Sequence, residues 1–421
     1  MTKRRRPPLT ARDIGLLAAI SLCGLAVVAG LIWANARWSA LVSGGDKFFT
    51  LYSGARAFLF QSGDPYGRES AISAMELARG GFPAGEIDAL RLTLPFFLMP
   101  FIYPFAVVPD PALARGLWAF LAQLALAATV LLALRLAGST VPRGLVVGCT
   151  VLMLFNSYVV VAVLEGTPAA LLGLAYVGVL WALQTDQDEL AGALCALCLC
   201  MWEVGLPFLG LVTWRVFHQN RRRVIAGFGM ALVVLLGFSF LLFPGWLLPF
   251  LTANIGVLRS APGTSTAEVL LRLSPDHGMQ ISRGITIVVL ATMIYEWAVG
   301  RESDNRRHLW IAFLALAATP LIGLRTELSN LVVLTPGLVL ILAAALQRRR
   351  FGAWFGALLL TVVMVVPWYL AWRGFAVGDQ RARDVGFLFL PLVSLVGLYW
   401  TRWWFLRPAR TWLDEIRALE R

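Results

Sequence analysis

The stretch VIAGFGMALVVLLGFSFLLF, residues 224–243, decides the fold class of this chain. It is an unbroken apolar block, and it directly follows Arg221, Arg222 and Arg223. About 20 apolar residues in a helix are long enough to cross the roughly 30 Å hydrocarbon core of a bilayer. The block lacks the two-residue alternation of a barrel strand, and an α-helix satisfies its own backbone hydrogen bonds in lipid. It therefore predicts a membrane-spanning α-helix.

The composition extends this prediction to the whole chain. Of the 421 residues, 59% are hydrophobic and only 14% are charged, and the mean hydropathy is +0.74. A soluble domain of this length would carry far more charge on its surface. We therefore predict an all-α polytopic membrane protein that forms a single integral-membrane domain over residues 1–421.

The basic residues predict the orientation in the membrane. The net charge is +12, but Lys and Arg lie mostly in short patches between apolar stretches, which is the positive-inside pattern and not that of a nucleic-acid-binding protein. The clearest patches are residues 3–12, 215–223, 301–307, 348–350 and 402–421. We place them all in the cytoplasm, on the inner side of a bacterial inner membrane. The prediction is an uncleaved first helix at 14–36, an external loop at 37–111, the remaining helices at 112–406 and a cytoplasmic tail at 407–421.

One apolar stretch must not cross, because counting all of them would leave the basic C-terminus outside. The best candidate is 92–108, since its prolines remove backbone hydrogen bonds and kink a helix repeatedly. We read it as a juxtamembrane or re-entrant segment, which leaves about twelve spanning helices, including separate ones at 188–202 and 204–218. The alternative lets 92–108 cross and merges 188–218 into one span, and it would move Glu165 to the cytoplasmic side.

The large first external loop is predicted to carry two further helices at the boundary between lipid and water. Residues 47–61 form an amphipathic, aromatic-rich stretch, and residues 70–79 form a short polar one. Both patterns are typical of helices that lie in the membrane interface.

No motif for a cofactor is visible in the sequence. It contains no Walker loop, no Gly-x-Gly-x-x-Gly after a strand and no His-Glu-x-x-His. The cysteines lie inside apolar stretches, where packing is the expected role; they are Cys23, Cys149, Cys195, Cys198 and Cys200. We therefore predict no cofactor and no metal ligands, although a divalent metal stays open.

A few polar residues are candidates for function, each with a structural alternative. Asp46 follows Gly44-Gly45 past the first helix and would act as a partly desolvated general base or as a helix cap. Asp64-Pro65-Tyr66 has the composition of a turn.

The remaining candidates are charged groups near the membrane, where ionisable side chains usually face a cavity or a partner. Glu165 and Glu203 stand at the predicted outer ends of helices. Arg325 and Glu327 would bind substrate or simply pair with each other. Arg259 and Arg272 lie in an external segment and suit phosphate, although a surface role is equally open.

The order of these sequence motifs along the chain resembles that in glycosyltransferase family 87, the polyprenol-phosphate-mannose-dependent mannosyltransferases of the multi-spanning GT-C class. The similarity is carried by Asp46, the aromatic helix containing Tyr52, and Gly63-Asp64-Pro65-Tyr66. It continues with the apolar Pro95–Pro100 segment and with 114–118. Where the family has Gly-Gln-x-Asn, this chain has Glu165-Gly166-Thr167-Pro168, and where a lysine is usual it has Trp202-Glu203.

The resemblance implies a GT-C-type fold and an inverting glycosyltransferase acting at the outer face. Its donor would be a polyprenyl-phosphate-linked sugar, by default mannose, and its acceptor a glycolipid, glycan or protein, with membrane lipids around it. Asp46 is expected to be the catalytic base. The expected substrate-binding residues are Lys47, Tyr52, Asp64, Tyr66, Glu165, Glu203, Arg259, Arg272, Arg325 and Glu327.

Two other classes of function remain open at this point. A transporter or flippase of lipid-linked glycans would also have many helices and external acidic groups, although no internal repeat is visible. A non-catalytic protein of an envelope-assembly complex is the other alternative.

Overall fold

The computed structural model describes residues 11–41, 45–78, 90–138, 143–260, 264–300, 304–346 and 350–406. Within these ranges the regular structure is helical, and the only bridge between extended residues joins Thr264 and Thr326. The predicted all-α class is therefore confirmed. The predicted cytoplasmic tail, 407–421, lies outside the described residues.

Eighteen helices make up most of the described part of the chain. In chain order they are α1 Ala11–Leu41, α2 Asp46–Gln61, α3 Arg68–Ala78, α4 Met99–Ala106, α5 Pro111–Leu136, α6 Arg143–Leu154, α7 Ser157–Glu165, α8 Ala169–Gln184, α9 Asp188–Cys198, α10 Trp202–His218, α11 Arg222–Leu242, α12 Leu247–Ser260, α13 Thr266–Leu273, α14 Gly278–Val299, α15 Asn305–Ala318, α16 Thr335–Leu346, α17 Arg350–Ala371 and α18 Gln380–Leu406. Short 3₁₀ segments precede α4, α10 and α16 and follow α15, and a π-helix, Trp372–Ala376, follows α17.

Long apolar helices make this a membrane-embedded protein. The described part of the chain holds 8 helices long and apolar enough to cross a bilayer, or 9 if α6 and α7, bent by 56°, form one span. The first helix is longer than predicted, since it continues to Leu41. Along its described side chains it packs against α5, where Asn35 donates to Gln123 at 3.0 Å, and most of the residues from Ser21 onward are exposed.

The proline-rich stretch contains one short helical segment. It is helical only over Phe96–Ala106, which at 1.5 Å per residue is about 16 Å and too short for the roughly 30 Å core. This segment packs beneath α2, where Phe58 meets Phe96 edge-on at 5.0 Å between ring centroids. The alternative in which 92–108 crosses the membrane is therefore not supported.

The segment 188–218 is a hairpin of two helices, as predicted. Its 31 residues are long enough for a single span, and a straight helix of that length would separate its ends by about 46 Å. Yet Arg221, just past its end, donates to Asp188 at its start at 3.0 Å. The chain therefore reverses near Met201 (φ −132°) and Gly205 (φ −138°), which both leave helical geometry.

The turn of this hairpin faces the end of the bundle on which the first-loop helices lie. Gly205 makes the close approach possible, because a Cβ there would lie 2.1 Å from the Tyr176 hydroxyl of α8. Glu203 stands beside this turn. The fold thus brings Glu203 to the same end as α2, α4, α12 and α13.

Candidate functional site

Arg115, near the start of α5, joins the ends of two other helices at this end of the bundle. Its side chain is 1% exposed, and its guanidinium donates to the carbonyls of Ser39 in α1, at 3.1 Å, and of Leu164 in α7. It also lies over the Phe49 ring, 5.7 Å from the centroid. A buried arginine bonded to carbonyls of two helix ends fixes where the next segment, α2, begins.

Gly45 lets α2 begin against this arginine. Its φ of +88° is a left-handed conformation that favours glycine. A Cβ at Gly45 would lie 2.7 Å from Nε of Arg115. Sequence reasoning did not select Arg115, although an arginine at the head of an apolar helix, opposite a Gly-Gly-Asp turn, is a signal that it could have used.

Asp46 is the first residue of α2 and is half-buried beside this junction. Burial raises the pKa of its carboxyl above the ordinary value, and so does the Glu327 carboxylate; Lys47 and Arg115 act in the opposite direction. A carboxyl with a raised pKa is a stronger proton acceptor once it is ionised, which suits a general base.

Lys47 is the centre of a cluster of acidic residues. Its ammonium forms an ion pair with Glu327, and it interacts electrostatically with Glu165 and Glu203. Burial lowers the pKa of this ammonium, but the carboxylates outweigh that effect and the net shift is upward. The side chains of Lys47 and Glu327 remain 34% and 27% exposed, so the cluster is reachable from outside. We call Asp46, Lys47, Glu165, Glu203 and Glu327 the acidic cluster.

Tight backbone contacts hold Glu165 at the cluster. Gly166, at φ +71°, ends α7, and a Cβ there would lie 2.5 Å from Cβ of Phe48 in α2. The indole of Trp118 donates to the Gly166 carbonyl at 2.9 Å. Glu165 is therefore placed beside α2 by the glycine that follows it.

Glu327 is placed by the extended segment before it. Thr264 and Thr326 exchange backbone hydrogen bonds of 2.7 and 3.1 Å, which tie the 323–327 loop to the segment that begins α13. Five of the eleven predicted site residues thus meet in one cluster, although they come from four separate parts of the sequence.

The aromatic and turn residues of the first loop lie outside the acidic cluster and support α2. Tyr52 is 1% exposed and its hydroxyl donates to the Val108 carbonyl at 2.8 Å. Tyr66 is equally buried and donates to Leu94 at 3.0 Å. Asp64 accepts from the backbone N–H of Tyr66 at 2.9 Å, which is the turn that its sequence indicates.

The predicted phosphate-binding arginines are engaged elsewhere. Arg272 donates to both oxygens of Asp384, at 2.9 and 2.6 Å. Arg325 pairs with Glu268, so the local pair with Glu327 that the sequence left open does not form. Both pairs fasten α13 to the surface of the bundle. The side chain of Arg259 lies outside the described residues.

Negatively charged side chains outnumber positively charged ones in the acidic cluster. The four carboxylates interact with the ammonium of Lys47, and Asp46 also interacts with the guanidinium of Arg115. Among the described residues no group of three or more His, Cys, Asp or Glu side chains is arranged to hold a metal ion. The carboxylates therefore surround the lysine and do not converge on one point between them.

Comparisons of the chain with models of protein families, with curated proteins and with solved structures find no match in any of the three.

Proposed function

We propose that this protein is a membrane glycosyltransferase that moves a sugar from a polyprenyl-phosphate donor to an acceptor hydroxyl at the outer face of the membrane. The observation that carries the proposal is Asp46: a half-buried carboxyl with a raised pKa, at the open end of a membrane-embedded bundle. The resemblance of the first-loop block to glycosyltransferase family 87 supports the same assignment. Mannose is the default sugar.

The proposed topology has twelve crossings with both termini in the cytoplasm of a bacterium. The crossings would be made by α1, α5, the bent pair α6–α7, α8, α9, α10, α11, α14, α15, α16 with the 3₁₀ segment before it, α17 and α18. The positive-inside rule supports this orientation, because Arg221, Arg306, Arg307 and Arg402 lie at the end of the bundle away from the acidic cluster.

In the proposed reaction, Asp46 accepts the proton of the acceptor hydroxyl as its oxygen attacks the anomeric carbon. The new bond joins the acceptor oxygen to that carbon, and the bond from the carbon to the donor phosphate oxygen breaks with inversion. The polyprenyl phosphate leaves as an anion, so no general acid is required. An oxocarbenium-like transition state gains from nearby carboxylates, which is a role for Glu165 and Glu203.

Lys47 is the cation best placed for the leaving phosphate. It adjoins Asp46 in sequence and is held by Glu327, so its ammonium has a fixed position next to the base. An ammonium held in a fixed position stabilises the negative charge that develops on the leaving phosphate, and the site need not reorganise during the reaction. Arg272 and Arg325 pair with Asp384 and Glu268, which are not members of the acidic cluster, and this makes them the weaker candidates for this role.

A transporter of lipid-linked glycans is the second candidate. The acidic cluster itself favours it, because glutamates grouped around a paired lysine at the end of a membrane bundle are also typical of proton or ion pathways. The two functions differ in their products, since a flippase or transporter releases no free polyprenyl phosphate.

The test is a transfer assay with purified protein in nanodiscs, radiolabelled polyprenyl-phosphate-mannose and a membrane glycolipid extract. We expect label in a new product together with free polyprenyl phosphate. Asp46→Asn should abolish both, while Glu76→Gln, which removes an exposed carboxylate of α3 on the same side of the bundle, should not. Full activity of Asp46→Asn would exclude Asp46 as the base. Movement of the donor across the bilayer without release of polyprenyl phosphate would favour the transporter.

A further inference from the structure

The loop that leads into Glu327 is held by α13, a short helix packed against α14 and α18. This helix begins with a capping box, in which the Ser265 hydroxyl accepts from the backbone N–H of Glu268 at 3.2 Å. In return, one carboxylate oxygen of Glu268 accepts from the Ser265 N–H at 3.3 Å. Thr266 is fully buried, and its hydroxyl donates to the Pro320 carbonyl at 2.7 Å. These contacts fix the start of α13, and with it the position of the Glu268 carboxylate.

Two contacts tie the loop 323–327 to this helix. The backbone groups of Thr264 and Thr326 exchange hydrogen bonds of 2.7 and 3.1 Å. The second carboxylate oxygen of Glu268 binds the guanidinium of Arg325. The same carboxylate therefore caps α13 with one oxygen and holds the loop with the other.

The loop follows an extended course that its own residues do not fix. It begins at Gly323, where φ is +90° and an added Cβ would meet nothing within 4 Å. Glu327, at its end, is extended, with φ −107° and ψ 158°. Extended backbone makes its hydrogen bonds to other segments, whereas a helix makes them within itself. The contacts with α13 therefore decide where the loop ends.

The end of the loop lies in the acidic cluster. The residue that follows the bridge is Glu327, whose carboxylate forms the ion pair with Lys47. Lys47 adjoins Asp46, so a shift of the loop would move the charge of Glu327 relative to both of them. Asp46 also interacts with Arg115 and Glu165, but these residues belong to α5 and α7 and not to the loop.

We propose that Arg325 and Glu268 are positioning residues of the acidic cluster, and that their ion pair keeps Glu327 on Lys47. The effect of this pair on transfer rests on the proposed function, whereas its effect on the position of Glu327 does not. The two side chains are 40% and 31% exposed. An ion pair this exposed contributes little to folding, so variants of either residue should remain folded.

The test uses the chemical reactivity of Lys47, which requires no transfer. The chain has two lysines, Lys3 and Lys47, so acylation of the full-length protein followed by mass spectrometry gives the rate at Lys47 relative to that at Lys3. Only the neutral amine reacts, and Glu327 is among the groups that raise the pKa of the Lys47 ammonium. Glu327→Gln should therefore speed labelling of Lys47 by about two- to five-fold, the effect expected of one partly exposed ion pair.

The variants of the proposed positioning pair should act in the same direction as Glu327→Gln. Arg325→Gln and Glu268→Gln should both speed labelling of Lys47 by up to the same factor, because each releases Glu327. A direct effect of charge would give opposite signs, since the first variant removes a positive charge and the second a negative one. Glutamine at position 268 keeps one acceptor oxygen for the Ser265 N–H, so the cap of α13 survives.

Two controls and a double variant complete the test. Arg325→Lys keeps the positive charge and should give the wild-type rate at Lys47. Arg373→Gln breaks a pair with Asp379 of similar exposure, 42% and 25%, and should also give the wild-type rate. In the Glu327→Gln background, Arg325→Gln should cause no further increase. Unchanged or slower labelling in Arg325→Gln would overturn the proposal, and so would an equal increase in Arg373→Gln or a further increase in the double variant.

The transfer assay shows whether the positioned charge matters for the reaction. Glu327 raises the pKa of the Asp46 carboxyl, so its release should lower the apparent pKa of kcat/KM in Arg325→Gln and in Glu268→Gln alike. Faster labelling of Lys47 in both variants, together with no transfer by the wild type, would support the positioning role while refuting the proposed function. Loss of transfer in Arg325→Gln with wild-type labelling would overturn the positioning role and assign Arg325 to the donor phosphate.

Discussion

Replacing Arg272 by glutamine should destabilise the protein without removing its activity. Arg272 binds both oxygens of Asp384, whose side chain is only 3% exposed while that of Arg272 is 41% exposed. Breaking a fully buried ion pair costs about 3–5 kcal/mol, because a buried charge is left without its partner. Since water reaches the arginine side of this pair, we expect a cost of about 2 kcal/mol. With an unfolding entropy of about 2 cal/mol/K per residue, this lowers the Tm of a chain of 421 residues by about 2 °C.

The double variant separates this structural role from phosphate binding. Asp384→Asn in the Arg272→Gln background removes the uncompensated charge, so most of the lost stability should return, with a coupling of about 1–3 kcal/mol. The assay is differential scanning fluorimetry in detergent, beside the transfer assay on the same preparations. If Arg272→Gln leaves Tm unchanged but abolishes transfer, and the double variant stays inactive, the arginine binds the donor and the reasoning from the ion pair is refuted.

Three further predictions concern Asp46 and the turn before it. Burial raises the pKa of Asp46, so between the ordinary and the raised pKa the folded state binds more protons than the unfolded chain. The free energy of unfolding therefore falls as pH rises through that window. At pH 7 the Tm of Asp46→Asn should be no lower than that of the wild type, and a drop in Tm would show that the carboxylate is a structural cap. The pH profile of kcat/KM should rise through an apparent pKa above 3.8, the ordinary value for this carboxyl. Lys47→Gln should raise that apparent pKa, because it removes a positive charge that lowers the pKa of Asp46. Glu327→Gln should lower it, because it removes a negative charge that raises the pKa of Asp46. Shifts of the same sign in both variants would contradict the assigned geometry. Gly45→Ala forces a side chain into a left-handed conformation and against Arg115, so transfer should fall by up to about 100-fold through displacement of Asp46. Gly378→Ala, with φ +76° and nothing within 4 Å, carries the conformational cost alone and should stay active.

The sequence predicted the architecture wherever one stretch of chain decides it. The apolar blocks, the short helix within 92–108 and the two helices of 188–218 all follow from local hydrophobicity, proline and length. The position of Glu203 followed from that hairpin. The prediction of helices succeeded because lipid forces each segment to satisfy its own backbone hydrogen bonds, which ties helix formation to local composition.

Charge partners were the weaker part of the prediction. A local pair of Arg325 with Glu327, two residues away, was the structural alternative to substrate binding, but Arg325 binds Glu268 while Glu327 binds Lys47. Arg272 was a candidate for phosphate binding, with a surface role equally open, and in the structure it pairs with Asp384. Partners separated by more than fifty residues cannot be read from spacing, since long side chains take the nearest opposite charge in space.

The sequence by itself determined that this is a helical membrane protein, and it selected five residues that belong to one site. Only the tertiary structure decided that Asp46, Glu165, Glu203 and Glu327 surround Lys47, and that Arg115 anchors the turn from which Asp46 projects. The physical reason is that hydrophobic burial and backbone satisfaction act within a segment. Electrostatic pairing and the close approaches at Gly45, Gly166 and Gly205 depend instead on how separate helices meet.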